Sequence, residues 1–92
     1  MFRSRRTKNF KKLFDALPED VKDQAEAAYA LFKENPRHGS LNFKHVPTAG
    51  GDMYSADVGR HYRVLGALRG DTIYWEWIGS HEAYNRIVKQ HH

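Results

Sequence analysis

Cysteine is absent from the 92-residue chain. Disulfides and thiolate metal cages are therefore excluded, and a reducing compartment, the cytoplasm, is the expected setting. No apolar run approaches the ~20 residues that a membrane-spanning helix requires, so no membrane partner is expected. Ser4-Arg5-Arg6 has the beginnings of a twin-arginine export signal, but Lys11, Lys12, Asp15, Glu19 and Asp20 occupy the place of its apolar core. Gly50-Gly51 lacks the Gly-x-x-x-x-Gly-Lys context of a phosphate loop, and no serine stands in a nucleophile-elbow sequence. His61, His81 and Glu82 have no metal-ligand spacing, so neither metal nor cofactor is expected. Only three prolines occur, and each falls where one segment gives way to another.

What is present suffices for one domain over residues 1–92, with 40% hydrophobic and 13% aromatic residues and too little chain for a second core. The formal charge of +4 is unevenly spread. Arg3, Arg5, Arg6, Lys8, Lys11 and Lys12 all precede the first acid, Asp15. Such a cluster is either a solvated helix start or a surface for an anionic partner, whether nucleic acid, ribosome or acidic peptide.

Thr7 is placed to cap a helix carrying Phe10, Leu13, Phe14 and Leu17 at i, i+3, i+4, i+7 spacing. Pro18 closes it and opens a second, whose acidic start (Glu19, Asp20, Asp23) suits the helix dipole. Val21, Ala25, Ala28, Tyr29 and Phe32 form its apolar stripe, and Asn35-Pro36 ends it. Beyond this hairpin the period becomes two. Leu41, Phe43 and His45 alternate with Asn42, Lys44 and Val46 in a strand that Pro47 is expected to end. Thr48-Ala49-Gly50-Gly51-Asp52 is a turn, and Met53 to Val58 and His61 to Leu68 are further strands. Arg69-Gly70-Asp71 turns tightly into Thr72 to Ile78, a nearly continuous apolar run holding both tryptophans and therefore an interior strand. Ser80 caps a last short helix with Ala83, Tyr84, Ile87 and Val88. The expected class is α+β: an N-terminal helical hairpin on one face of a twisted antiparallel sheet of about four strands, helices on that one face, and a short C-terminal helix. The residues before Thr7 are candidates for a short edge strand.

Alternation sets Arg63 and Leu65 on the face opposite Tyr62 and Val64. Arg63 is either a strand arginine pairing with Asp57 or Glu76, or an anion clamp whose planar fork suits phosphate. Lys44, Arg60 and His61, from the same meander, are candidate RNA-binding residues that add positive potential. His81 and Tyr84, i and i+3 on the last helix, share a face. Tyr84 also fits core packing, and His81 fits a surface position in the first turn. Arg63, His81 and Tyr84 together suffice for metal-free transesterification of RNA, with proton transfer by histidine and arginine on the phosphoryl charge.

Phe10-Lys11-Lys12-Leu13-Phe14 with Leu17-Pro18, the run ending at Asn35-Pro36, and Leu41-Asn42-Phe43-Lys44 together resemble the RelE/ParE toxin superfamily of bacterial type II toxin–antitoxin pairs. Tyr54-Ser55-Ala56-Asp57-Val58-Gly59-Arg60-His61-Tyr62-Arg63-Val64-Leu65 and Trp77-Ile78-Gly79-Ser80-His81-Glu82-Ala83-Tyr84 are the most telling segments. The resemblance spans nearly the whole chain, through the order and spacing of short motifs. It implies a toxin neutralised by a cognate antitoxin and, in the RelE branch, a metal-independent endoribonuclease that cuts mRNA on the ribosome. By position, Arg63 matches the family's strand arginine, Lys44 the basic residue of the preceding strand, and Tyr84 the late tyrosine. His81 stands where RelE-like members place an arginine and other branches a histidine. In this assignment Arg63 stabilises the phosphate, His81 moves the proton, Tyr84 positions it and Lys44 holds the backbone. The basic set is sparser than in RelE, and Glu76 and Glu82 lie close to it in sequence. ParE-branch toxins share the fold, lack the nuclease residues and inhibit DNA gyrase. A non-toxic relic that only binds an antitoxin is the remaining alternative.

Overall fold

In the computed structural model, which describes residues 3–48 and 51–90, the chain runs β1 (Arg3–Arg6), α1 (Lys8–Asp15), α2 (Glu19–Glu34), a 3₁₀ turn (Gly39–Leu41), β2 (Lys44–Thr48), β3 (Gly51–Val58), β4 (Tyr62–Arg69), β5 (Thr72–Ser80) and α3 (His81–Gln90). The residues Ala49-Gly50 of the expected turn, residues 1–2 and His91-His92 lie outside this description.

Local chemistry sets the helix ends. The Thr7 hydroxyl accepts from the Phe10 N–H (3.2 Å) and donates to the Trp75 carbonyl (3.2 Å), which caps α1 and ties it to the sheet. Pro18 stands at the N-cap of α2, and Asn35 at its C-cap. Phe10, Val21, Ala25 and Phe32 are buried, as their helical spacing predicts.

The sheet has five strands in the order β1-β5-β4-β3-β2. β2 to β5 form the expected antiparallel meander, and β1 adds a parallel edge beside β5. The residues before Thr7 thus form the short edge strand, and β5 is interior. Gly70, with φ +63°, supplies the left-handed residue in the two-residue link from Arg69 to Thr72.

Three details differ from the sequence reading. First, β2 begins at Lys44, because Leu41 belongs to the 3₁₀ turn and Asn42 takes a left-handed conformation (φ 46°) after it. Second, Pro47 continues β2 instead of ending it. β2 is an edge strand, where a missing N–H leaves no sheet partner unsatisfied. Third, α3 does not join the hairpin's face.

The hairpin covers one face of the sheet, packing Phe10, Ala25 and Phe32 against Ala56, Val58, Val64, Ile73, Trp75 and Ile78. α3 covers the other, where Tyr84, with Ile87 and Val88, meets Val46, Leu65 and Trp77. A β-bulge in β5 makes this division possible. Leu65 pairs with Trp77 and Gly66 with Trp75, so Glu76 has no partner across the ladder. Trp75 and Ile78 therefore both face the hairpin, while Trp77 faces α3. The Glu76 carbonyl accepts from the Asn9 amide of α1 at 2.8 Å.

Candidate functional site

Three pieces of chain meet at one end of the sheet, on the face that α3 covers. The first two are the hairpin strands β3 and β4, joined by Gly59–His61. Val58 pairs with Tyr62, so Asp57 directly opposes Arg63. Gly59 has φ +60°, a conformation that favours glycine. The third piece is the start of α3. The Ser80 hydroxyl accepts from the Ala83 N–H (3.1 Å), and the His81 N–H donates to the His61 carbonyl (2.9 Å). That second bond fixes the first residue of α3 against the β3–β4 turn.

Asp57 is the centre of the cluster. Arg63 reaches its Oδ1 twice, from Nε at 3.0 Å and from Nη2 at 2.9 Å. Of the two partners open to Arg63 in the sequence, the structure selects Asp57. His81 Nε2 lies 3.8 Å from the same oxygen, has no hydrogen-bond partner among the described residues and is shut off from solvent, although the ring as a whole is partly exposed. The Tyr84 ring lies 4.7 Å from the Arg63 guanidinium carbon and supports it by a cation–π contact. Arg63 is thus held by charge on one edge and by an aromatic face, with only 13% of its side chain exposed. Its Nη1 has no partner among the described residues.

The three residues singled out for chemistry, Arg63, His81 and Tyr84, are brought together. Tyr84 lies against Arg63 and is itself only 6% exposed, in the small core between α3 and the sheet. Lys44 opposes Ser55 across β2 and β3, and Ser55 opposes Leu65, so Lys44 projects from the same face as Arg63. Arg60 and His61 are exposed on the β3–β4 turn beside the start of α3. Asp57 had entered the sequence reading only as an ion-pair partner, and its contact with His81 was missed. The register itself was not legible: a strand starting at His61 leaves a two-residue turn, Gly59-Arg60, that sets Asp57 opposite Tyr62, whereas β4 begins at Tyr62 and the three-residue link sets Asp57 opposite Arg63.

A model of the ParE-like toxin domain matches residues 19–86, well over half of the chain and including every residue of this cluster. No protein of curated function matches the sequence. Among solved structures, the chain is similar to YafQ from E. coli, with TM-score 0.71 at 14% identity over 91% of this chain and 98% of that one. It is similar to the archaeal RelE–RelB complex of Pyrococcus horikoshii, with TM-score 0.67 at 18% identity over 86% and 93%. The isolated RelE toxin of E. coli superposes with TM-score 0.62 at 17% identity over 98% of both chains. Those likenesses establish the fold, and the domain match establishes the family. The chain belongs to the family of ParE-like toxin domains.

Proposed function

We propose that this toxin is neutralised by a cognate antitoxin and acts as a ribosome-dependent, metal-independent endoribonuclease on mRNA. The carrying observation is the convergence of Arg63 and His81 on one carboxylate oxygen, Asp57 Oδ1, at 2.9 and 3.8 Å. In this reading His81 takes the proton from the RNA 2′-hydroxyl. The 2′-oxygen bonds to phosphorus, the bond to the 5′-oxygen breaks, and that oxygen leaves with a proton from solvent. The products are a 2′,3′-cyclic phosphate and a 5′-hydroxyl. Arg63 offers its Nη1 edge to the phosphoryl oxygens, Asp57 and Tyr84 hold its plane, and Lys44, Arg60 and His61 attract the backbone.

Inducible expression with primer-extension mapping of mRNA 5′ ends tests this reading. Cuts are expected only in translated messages and end in 5′-hydroxyls. Arg63→Ala is expected to reduce cleavage at least about a hundredfold, the usual scale for loss of a charge-stabilising donor. Growth arrest with intact transcripts would sink the proposal.

One observation favours a second reading. Asp57 already neutralises Arg63, and a carboxylate at the centre of the cluster opposes an incoming phosphate. A non-enzymatic, ParE-like inhibitor of DNA gyrase has no need of a free arginine there. It predicts blocked supercoiling by the purified protein, and toxicity that survives both Arg63→Ala and His81→Ala.

A further inference from the structure

Asp57 Oδ1 accepts twice from Arg63, from Nε at 3.0 Å and from Nη2 at 2.9 Å. Both lone pairs of that oxygen are thereby used. His81 Nε2, at 3.8 Å, faces an oxygen with no acceptor left to give it, and no solvent reaches this nitrogen. A guanidinium and an imidazole therefore compete for one oxygen. Arg63 carries a permanent charge and holds it while His81 is neutral. Protonation of His81 reverses the balance. An imidazolium N–H left buried and unpaired is costly, whereas Arg63 can give up one edge and still rest on the Tyr84 ring, 4.7 Å from its guanidinium carbon.

The surrounding charges leave that contest open. Around His81 stand Asp57 of β3, Arg60 and His61 of the β3–β4 turn, Arg63 of β4, and Glu82 and Tyr84 of α3. Lys44 of β2, opposite Ser55, lies two residues further along the same face. Among the described residues, Asp57 alone brings a carboxylate within 4 Å of the His81 ring nitrogens. Arg60 and Arg63 balance Asp57 and Glu82, so a proton on His81 turns a neutral group cationic, and one on His61 adds to it.

We infer that Asp57 changes partner with the charge on His81, so that this end of the sheet binds a tetrahedral oxyanion together with a proton. Protonation turns the carboxylate toward Nε2, and Arg63 then offers the anion its Nε and Nη2 edge, paired donors that fit two oxygens at once. An anion at Arg63 in turn favours the proton on His81, because coupling between two binding events is reciprocal. The inference rests on the reading that Arg63 meets a phosphoryl group, but not on that group being cut. In cleavage, the proton that His81 takes from the 2′-hydroxyl becomes the trigger that releases Arg63 to the charge forming on phosphorus. The proton enters at Nδ1, since Nε2 is shut off from solvent.

The test follows sulfate binding by NMR at about pH 5.5 and about pH 8, on either side of the ordinary imidazole range, at constant ionic strength. Sulfate is expected to bind at least about fivefold more tightly at the lower pH, the low end of ordinary coupling between sites. The Arg63 Nε–H signal should shift on acidification alone, before sulfate is added. Asp57→Asn frees Arg63 at both pH values and is expected to bind sulfate at the higher pH at least about fivefold more tightly than the parent. His81→Gln is expected to keep Arg63 on Asp57, with the same Nε–H signal at both pH values. Equal sulfate affinity at both pH values in the parent would overturn the inference. An Arg63 signal that still moves on acidification in His81→Gln would do so too, as would a full tightening that persists there and so belongs to His61. Should Asp57→Asn not fold, His81→Gln still decides, because it leaves the Arg63–Asp57 pair in place. Intact transcripts in arrested cells would remove the nuclease and leave this proton coupling standing, whereas cleavage alongside equal sulfate affinity would do the reverse.

Discussion

Asp57 determines what Arg63 and His81 can do. It occupies one edge of the guanidinium, so Arg63 is fixed in direction but partly neutralised. Removing the carboxylate leaves a nearly buried cation. Asp57→Ala is therefore expected to cost about 2–4 kcal/mol, a little under the ~3–5 kcal/mol of a fully buried pair, since the partners retain 13% and 21% exposure. A urea midpoint shift equivalent to less than about 1 kcal/mol would show that the pair contributes little. Gly79 carries a different constraint. A Cβ there would lie 2.5 Å from the Trp77 indole, too close for any real contact. Gly79→Ala should force that ring to move at a cost of about 1–3 kcal/mol, visible in tryptophan fluorescence and in the melting temperature. At this scale the sequence was informative wherever alternation applies, as for Val64 and Leu65 on opposite faces of the sheet. The approach of His81 was hidden, because it depends on where α3 starts and which face it covers.

Among the elements, caps and periods were the legible features. Thr7, Pro18 and Ser80 all stand at helix starts, and the hairpin's apolar stripe is the buried one. Thr7→Ala is expected to cost about 1–2 kcal/mol, at the upper end for a cap, because its hydroxyl also bonds the Trp75 carbonyl. Ser80→Ala should cost about 1 kcal/mol and be felt locally, as faster amide exchange at Ala83 with little change in α1 or α2. The start of β2 was misread for a physical reason. Leu41 and Phe43 are two apart and both pack on the main core, so a 3₁₀ turn followed by left-handed Asn42 imitates strand alternation. Pro47 misled because a proline ends only a strand whose N–H is needed, and whether a strand lies at an edge is not a local property.

For the molecule as a whole, the order of elements was readable along the chain, but the assembly of two cores on opposite faces was not. Parallel pairing of β1 with β5 joins residues some seventy positions apart, and no local period reports it. The same holds for α3, whose apolar stripe fits either face equally well. Both cores depend on the unpaired residue in β5. Counting along that strand, Trp75 and Trp77 would share a side if every residue were paired, and the exit toward His81 would be rotated away from Arg63. Glu76 thus acts as a spacer whose presence matters more than its side chain. Glu76→Ala is expected to stay within about 0.5–1 kcal/mol, since Asn9 binds the main-chain carbonyl, which the substitution retains. Deletion of the residue is expected to abolish cooperative melting; a deletion variant with a sharp transition would show that the strand can re-pair. Viewed as a reading frame, β5 tolerates exchange of letters at this point but not a change in their number. Variation among functional descendants of this chain should accordingly appear there as substitution and not as gain or loss of a residue.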